Sequence, residues 1–315
     1  MSVSRAHSLY AAVIDSTVIG GITAQAANMN TEAPAEASSA EAWSRWVSMT
    51  AQNPRATFTT KAIAALLDSI GEELPAADKY SANIADLTAG LTLYAQAFAA
   101  GSTRAGASLH RKFAIVHGCL GLRRLTCTHQ QDATIEVEAV VGYDGSNDPI
   151  VETDLVSLPA GVTDAQRYTL GEVTLESVSI PEVRSIDIDF GLNVVAEGSD
   201  SDIWPTHVSI VEIKPVITIR GIDLEWLKAA KIPRAGLAIT HTNTDIWLRK
   251  RALGSTFVGE DVAGHIKFTA AGFAYVDTPM DASGSEKAEA TLIVPCYYDG
   301  TNDPIVIDTT YAPTP

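Results

Sequence analysis

Two oxygen-rich segments are the first places in this sequence where side chains are spaced to do chemistry. Tyr143-Asp144-Gly145-Ser146-Asn147-Asp148-Pro149-Ile150-Val151 returns as Tyr298-Asp299-Gly300-Thr301-Asn302-Asp303-Pro304-Ile305-Val306, and only Ser146 and Thr301 differ. Asp144, Asn147 and Asp148, like Asp299, Asn302 and Asp303, carry oxygens of the kind that hold calcium. The longer ligand run and terminal Glu of an EF-hand loop are missing. The same residues are turn chemistry: Gly145 and Gly300 tolerate positive φ, and each Pro pushes the preceding Asp out of the helical region. Turn formation is the stronger of the two readings. A second cluster, His117, Cys119, Cys127 and His129, invites a zinc reading. Its H-x-C-x7-C-x-H spacing is not that of a zinc site, and its members alternate with apolar neighbours as strand residues do. A nucleophile elbow, a P-loop and a dinucleotide-binding glycine run are all missing from the sequence. The expectation is a chain with no catalytic site, no cofactor and no metal.

A turn needs two or three specialised residues, not eight identities in nine, so the repeated segment points to an internal duplication. A shift of 161 residues brings Trp43 onto Trp204, Pro54 onto Pro215, Ile19 onto Ile180 and Phe58 onto Ile219. Residues 28–42 and 189–202 read as long polar loops, each ending at its Trp. Apolar strand-like runs, a Pro and a further β-rich run follow in both halves. Each half then changes to helical spacing. Ile63, Leu66, Leu67 and Ile70 share one face of a helix over Lys61–Gly71, and its match is Ile222–Ile232. Gly90–Tyr94 is set against Gly236–Thr240, which leaves an unmatched insertion in the first half at 72–89. Near the end of each half, and also at Ser185–Phe190, the alternation is regular. Ile135, Val137 and Ala139 oppose Glu136 and Glu138, Ile186 and Ile188 oppose Asp187 and Asp189, and Ala290, Leu292 and Val294 oppose Glu289 and Thr291. The fold class expected is mainly β: a tandem duplication of a β-sandwich or barrel with one flanking helix in each copy, residues 1–160 and 161–315.

Composition narrows the partners. The net charge of −16, from 22 basic and 38 acidic residues, argues against a protein that grips nucleic acid through its phosphates. The chain holds no apolar run of membrane-spanning length, and the N-terminal residues lack the apolar core of a signal peptide. Three cysteines at wide spacing suggest reduced thiols.

The order of features (a strand pair, a long polar loop, more strands, one flanking helix and a final hairpin, all occurring twice) resembles the tail tube proteins of long-tailed phages. The resemblance covers nearly the whole chain and rests on order and duplication, not on a signature motif. It implies a virion structural protein, synthesised in the host cytoplasm, whose fused domains assemble as trimeric, pseudo-hexameric rings stacked into a tube. The implied partners are other copies of the chain, the tape measure protein, and terminator or baseplate proteins. DNA would pass through the lumen without specific binding, and no membrane is involved. The resemblance makes 28–42 and 189–202 ring-to-ring loops and offers Glu136, Glu138, Asp187 and Asp189 as a lumen wall that repels phosphate. An ordinary solvated sheet face is the equal alternative for those carboxylates. Trp43 and Trp204 read as anchors that pin loop ends to a core or a neighbour. A second reading of the chain, a two-module β-sandwich that binds carbohydrate or acts as an adhesin, would use the same two Trp to stack sugars. A third is another tail or neck ring protein of the same fold.

Overall fold

The computed structural model of the protein describes residues 6–37, 42–71, 80–87, 89–98, 109–162, 166–198, 202–229, 239–252, 257–283, 287–298, 300 and 303–313. It is 62% strand and 6% helix in large antiparallel sheets, as the period-2 alternation required. The first half contains β1 (Ala6–Ile14), β2 (Thr17–Ile19), β3 (Ile22–Asn28), β4 (Thr31–Glu32), β5 (Ala35–Ala37), β6 (Ser44–Val47), β7 (Ala51–Gln52) and β8 (Arg55–Thr60). There follow α1 (Ile63–Gly71), β9 (Ser81–Asn83), β10 (Leu91–Phe98), β11 (His110–Ile115), β12 (Gly118–Thr128), β13 (Thr134–Val141) and β14 (Val151–Val156). The second half contains β15 (Arg167–Leu175), β16 (Val178–Ser179), β17 (Ser185–Asp189), β18 (Leu192–Glu197), β19 (His207–Ile213), β20 (Val216–Asp223) and α2 (Leu224–Ala229). It ends with β21 (Ile239–Arg251), β22 (His265–Asp281), β23 (Glu289–Pro295) and β24 (Ile305–Tyr311).

In the first half one sheet runs β14-β11-β10-β1-β2, and a second layer runs β12-β13-β8-β3. The pairings of the second half follow the same plan. β15 pairs with β16 and β21, β22 with β21, β24 and β23, and β20 with β23 and β17. Strand β22, 17 residues long, does alone what β11 and β12 do together: its first part lies in one layer and its end in the other. Registers agree in detail. Ala26 faces Thr57 as Asp187 faces Thr218, and a bulge between Leu122 and Arg124 against β13 matches one between Val276 and Thr278 against β23. Leu93 faces Ala12 as Ile246 faces Val173, which sets β10 beside the stretch around Thr244–Leu248; residues 236–238 of the expected counterpart Gly236–Thr240 lie outside the described residues.

Buried residues of both halves form one continuous hydrophobic cluster. Helix α1 contributes Ile63, Leu66 and Ile70, all fully buried, and each such side chain stabilises the fold by about 1.5–3 kcal/mol. The Thr60 hydroxyl accepts the Ala62 N–H at 2.9 Å just before the helix. Asp223 caps α2, accepting the N–H groups of Glu225 and Trp226 at 2.7 and 3.3 Å.

The two expected polar loops are corrected. Residues 28–42 lead into a β arm in which β5 pairs with β6 and β4 with β7, and 189–202 carries β18, paired with β19. Strands β4, β5 and β6 are exposed on both faces. With no core side to specify, β4 and β5 show no alternation and lose the strand signal, whereas β6 overlaps the apolar run that reads as strand-like. The unmatched segment 72–89 also has structure where it is described. Strand β9 pairs with β12, and Ile84–Asp86 forms a 3-10 turn.

Candidate self-assembly interface

The junction between the halves carries a network of ion pairs. Strand β12 pairs with β17, Arg124 opposite Asp189 and Thr126 opposite Asp187, so the second layers of both halves continue as one sheet. On the face away from the core, Arg124 Nε reaches Asp187 Oδ1 at 2.8 Å and Oδ2 at 2.9 Å, and a second guanidinium nitrogen also bonds Oδ2. Arg220 approaches the same carboxylate at 4.0 Å. Glu138 bridges Arg55 at 2.6 Å and Arg123 at 3.1 Å. Glu289 pairs with Arg184 at 2.5 Å.

The four acidic residues named for a lumen wall lie in or beside this network. Glu136, Glu138, Asp187 and Asp189 do share one face, but Asp187 is buried and Glu138 is largely covered. Both are neutralised by arginine. Asp189 is exposed and accepts the Gly191 N–H at 2.9 Å. Glu136 lies in register with Arg124 and, together with Asp187 and Asp189, helps hold that guanidinium in its charged form. The arginines that pair with these acids lie on strands whose alternation looked like ordinary sequence. Only the antiparallel register of β8, β13, β12, β17 and β20 places them opposite the carboxylates.

A second set of contacts fastens the β18–β19 arm of the second half to the first. Trp204 Nε1 donates to Gln52 Oε1 at 2.6 Å, and its ring lies 5.0 Å from that of Tyr143. The backbone joins in: Gln52 N–H bonds Ile203 C=O and Tyr143 N–H bonds Pro205 C=O, both at 2.7 Å. A cleft remains where Leu192, Asn193 and Val194 lie over Arg55, Gly121 and Glu138. Trp204 is thus seated within its own chain. Trp43 is 80% exposed, beside exposed Trp46, Val47 and Met49.

Two fasteners escaped the sequence reading. Tyr80, in the middle of the unmatched segment, is buried, packs its ring 5.8 Å from that of Phe190 and bonds the backbone of Ile305. Burial raises its phenol well above the usual range. Asp132, in the β12–β13 turn, bonds Lys61 at 2.9 Å and Arg251 at 3.0 Å and lies 3.8 Å from Arg167. Burial works to raise this carboxyl, but the three cations together hold it below the ordinary carboxylate range.

The repeated turn behaves as a turn. Asp144 Oδ1 accepts the N–H groups of Ser146 and Asn147 at 2.8 and 2.7 Å, and Oδ2 accepts from the Asn147 side chain. The bonds from Asn147 hold Asp144 below the ordinary carboxylate range. Gly145 and Gly300 have φ of 86° and 96°, the left-handed region expected of them. Asp148 is exposed and Asp303 half-buried. Asp299 and Asn302 lie outside the described residues.

The His117, Cys119, Cys127 and His129 cluster is drawn out along the chain. Cys119 and Cys127 sit on one strand, roughly 27 Å apart at about 3.4 Å per residue. Burial pushes the Cys119 thiol up to about 11 and those of Cys127 and Cys296 up to about 12, so all three stay protonated at neutral pH. Among the described residues no group of three or more His, Cys, Asp or Glu is placed to hold a metal, and no helix is long and apolar enough to cross a membrane. No protein-family model matches the chain, and no curated protein matches its sequence.

Proposed function

We propose that this protein is a structural subunit made of two copies of a tail-tube-like domain, which assembles with itself into pseudo-sixfold rings stacked as a DNA-conducting tube in a phage tail. One observation carries the reading. The two halves are joined edge to edge through β12 and β17, while the corresponding edges, the outer side of β3 and the last part of β22, have no strand partner among the described residues. Open edges of this kind invite pairing with another chain. A subunit whose two ends match its own internal junction adds copies head to tail, and such heterologous contacts close into rings when the rotation allows.

The paired charges also suit a conduit. A guanidinium already engaged by a carboxylate has little to offer a passing phosphate, so DNA slides along such a wall without being held. Tape measure and terminator or baseplate proteins are the further partners of this reading. Negative-stain microscopy and light scattering of the purified protein test it. Rings or tubes with a central hole are expected, and a monomer at every concentration would overturn it.

A glycan-binding module is the second reading, favoured by the exposed Trp43 and Trp46. Trp204 no longer belongs to it, since that ring is stacked on Tyr143. Glycan-array binding abolished by Trp43→Ala, from a protein that stays monomeric, would establish this alternative.

A further inference from the structure

The internal junction can be used as a guide to the junction between chains. The repeated segment makes Tyr298 the counterpart of Tyr143, and the shift that aligns Pro54 with Pro215 makes Trp43 the counterpart of Trp204. Within the chain the second pair, Trp204 and Tyr143, is closed; Trp43 and Tyr298 are 80% and 61% exposed. The strand registers extend the correspondence. Gln25–Asn28 takes the place of Ile186–Asp189, and Thr278–Asp281 takes the place of Arg124–Cys127.

The open edge at β3 also borders an unfilled space. A groove of about 390 Å³ runs beside it, lined by Ser8, Leu9, Gln25, Ala27, Leu93 and Phe113. Ser8 Oγ and Gln25 Oε1 are buried and have no hydrogen-bond partner among the described residues. On the second half the corresponding place is taken by the first half of the same chain, where the Ala133 N–H bonds the Tyr168 carbonyl at 2.8 Å.

We propose that this groove and the edge of β3 receive the second half of another copy of this chain. β3 then pairs antiparallel with Thr278–Asp281, and Trp43 stacks on Tyr298 of the neighbour as Trp204 stacks on Tyr143. The proposal rests on the ring-forming reading above and names the surfaces that reading leaves open. The contact between chains is the weaker of the two. Ile213 stands where Gln52 does, so the indole N–H of Trp43 loses its side-chain acceptor. Pro279 stands where Leu125 does and offers no N–H to a ladder. The internal junction therefore forms with folding, and the external one assembles reversibly. A Pro on the open edge also limits uncontrolled strand addition.

The test uses the full-length chain carrying Ala26→Cys and Met280→Cys, the counterparts of the facing pair Asp187 and Thr126. Directly opposed residues of an antiparallel pair lie within disulfide range. Mild oxidation is expected to give covalent multimers on a non-reducing gel, while each variant carrying one of the two substitutions beside the three native cysteines gives at most a dimer. Trp43→Ala is expected to raise the concentration needed for half-assembly at least tenfold, with an unchanged melting temperature. Particles that assemble without this crosslink, and indifferently to Trp43→Ala, would overturn the docking surface and leave ring formation standing. A chain that stays monomeric and uncrosslinked would overturn both.

Discussion

The phenolic oxygen of Tyr80 donates to the carbonyl of Ile305 and accepts the N–H of the same residue at 2.8 Å, across 225 positions of sequence. One side chain of the first half thereby satisfies both backbone groups at the start of β24, the last strand of the second half. Ile305 belongs to the repeated segment, so this contact ties the end of one half to an unmatched insertion in the other.

Tyr80→Phe keeps the ring against Phe190 and removes the hydroxyl. Two buried backbone groups then lose their partner, and a loss of about 1–3 kcal/mol is expected. The midpoint of chemical denaturation measures it. An unchanged midpoint would mean that the Ile305 groups find water in place of the phenol.

Arg124→Ala leaves the Asp187 carboxylate, whose side chain is 9% exposed, with the more distant Arg220 as its one remaining cation among the described residues. Hydrogen bonds to a charged group contribute about 1.5–3 kcal/mol, and a loss in that range is expected. Glu136→Ala, which removes a carboxylate of the same face without orphaning an arginine's main partner, should cost much less. Equal losses in the two variants would show that the Arg124–Asp187 pair carries no special weight.

Asp132 sets an acid limit. Its carboxyl titrates below the ordinary value in the folded chain, because Lys61, Arg251 and Arg167 outweigh the effect of burial. A depressed carboxylate contributes stability that is fully present above the unfolded value of about 3.9 and is lost as pH falls through the lower folded value. Urea midpoints recorded from pH 7 down to 3 should therefore drop on the acid side. Asp132→Asn should lower the midpoint at pH 7 and flatten that drop; a parallel, unflattened profile would assign the acid sensitivity to other groups.

Trp204→Ala removes both the bond to Gln52 and the stack on Tyr143. The arm of β18 and β19 should open while the core persists. Hydrogen exchange is expected to accelerate across 192–213 and to stay slow in β12 and β13. Uniform acceleration throughout the chain would make Trp204 a global determinant of folding instead of a local clasp.

The legible part of this protein was what neighbours in sequence encode. Alternation at Ile135, Val137 and Ala139 marked β13 and its buried face, spacing at Ile63, Leu66 and Ile70 marked α1, and the glycines of the repeated turn announced their positive φ. The short strands β4 and β5 were missed, because strands exposed on both sides carry no alternation, whereas β6 and β19 fall in apolar runs that read as strand-like. The four carboxylates share a face, and the arginines that pair with Glu138 and Asp187 lie on other strands, where no local pattern announces them.

By itself, then, the sequence determined a mainly β chain with a repeated turn, correctly phased strands and one helix in each half, because these depend on residues two to four positions apart. Only the tertiary structure decided that Tyr80 meets Ile305, that Arg124 meets Asp187, and that Trp204 is closed while Trp43 is open. Those outcomes depend on which sheet edges meet, and that choice is a sum of many small burial, hydrogen-bond and charge terms between residues more than fifty positions apart.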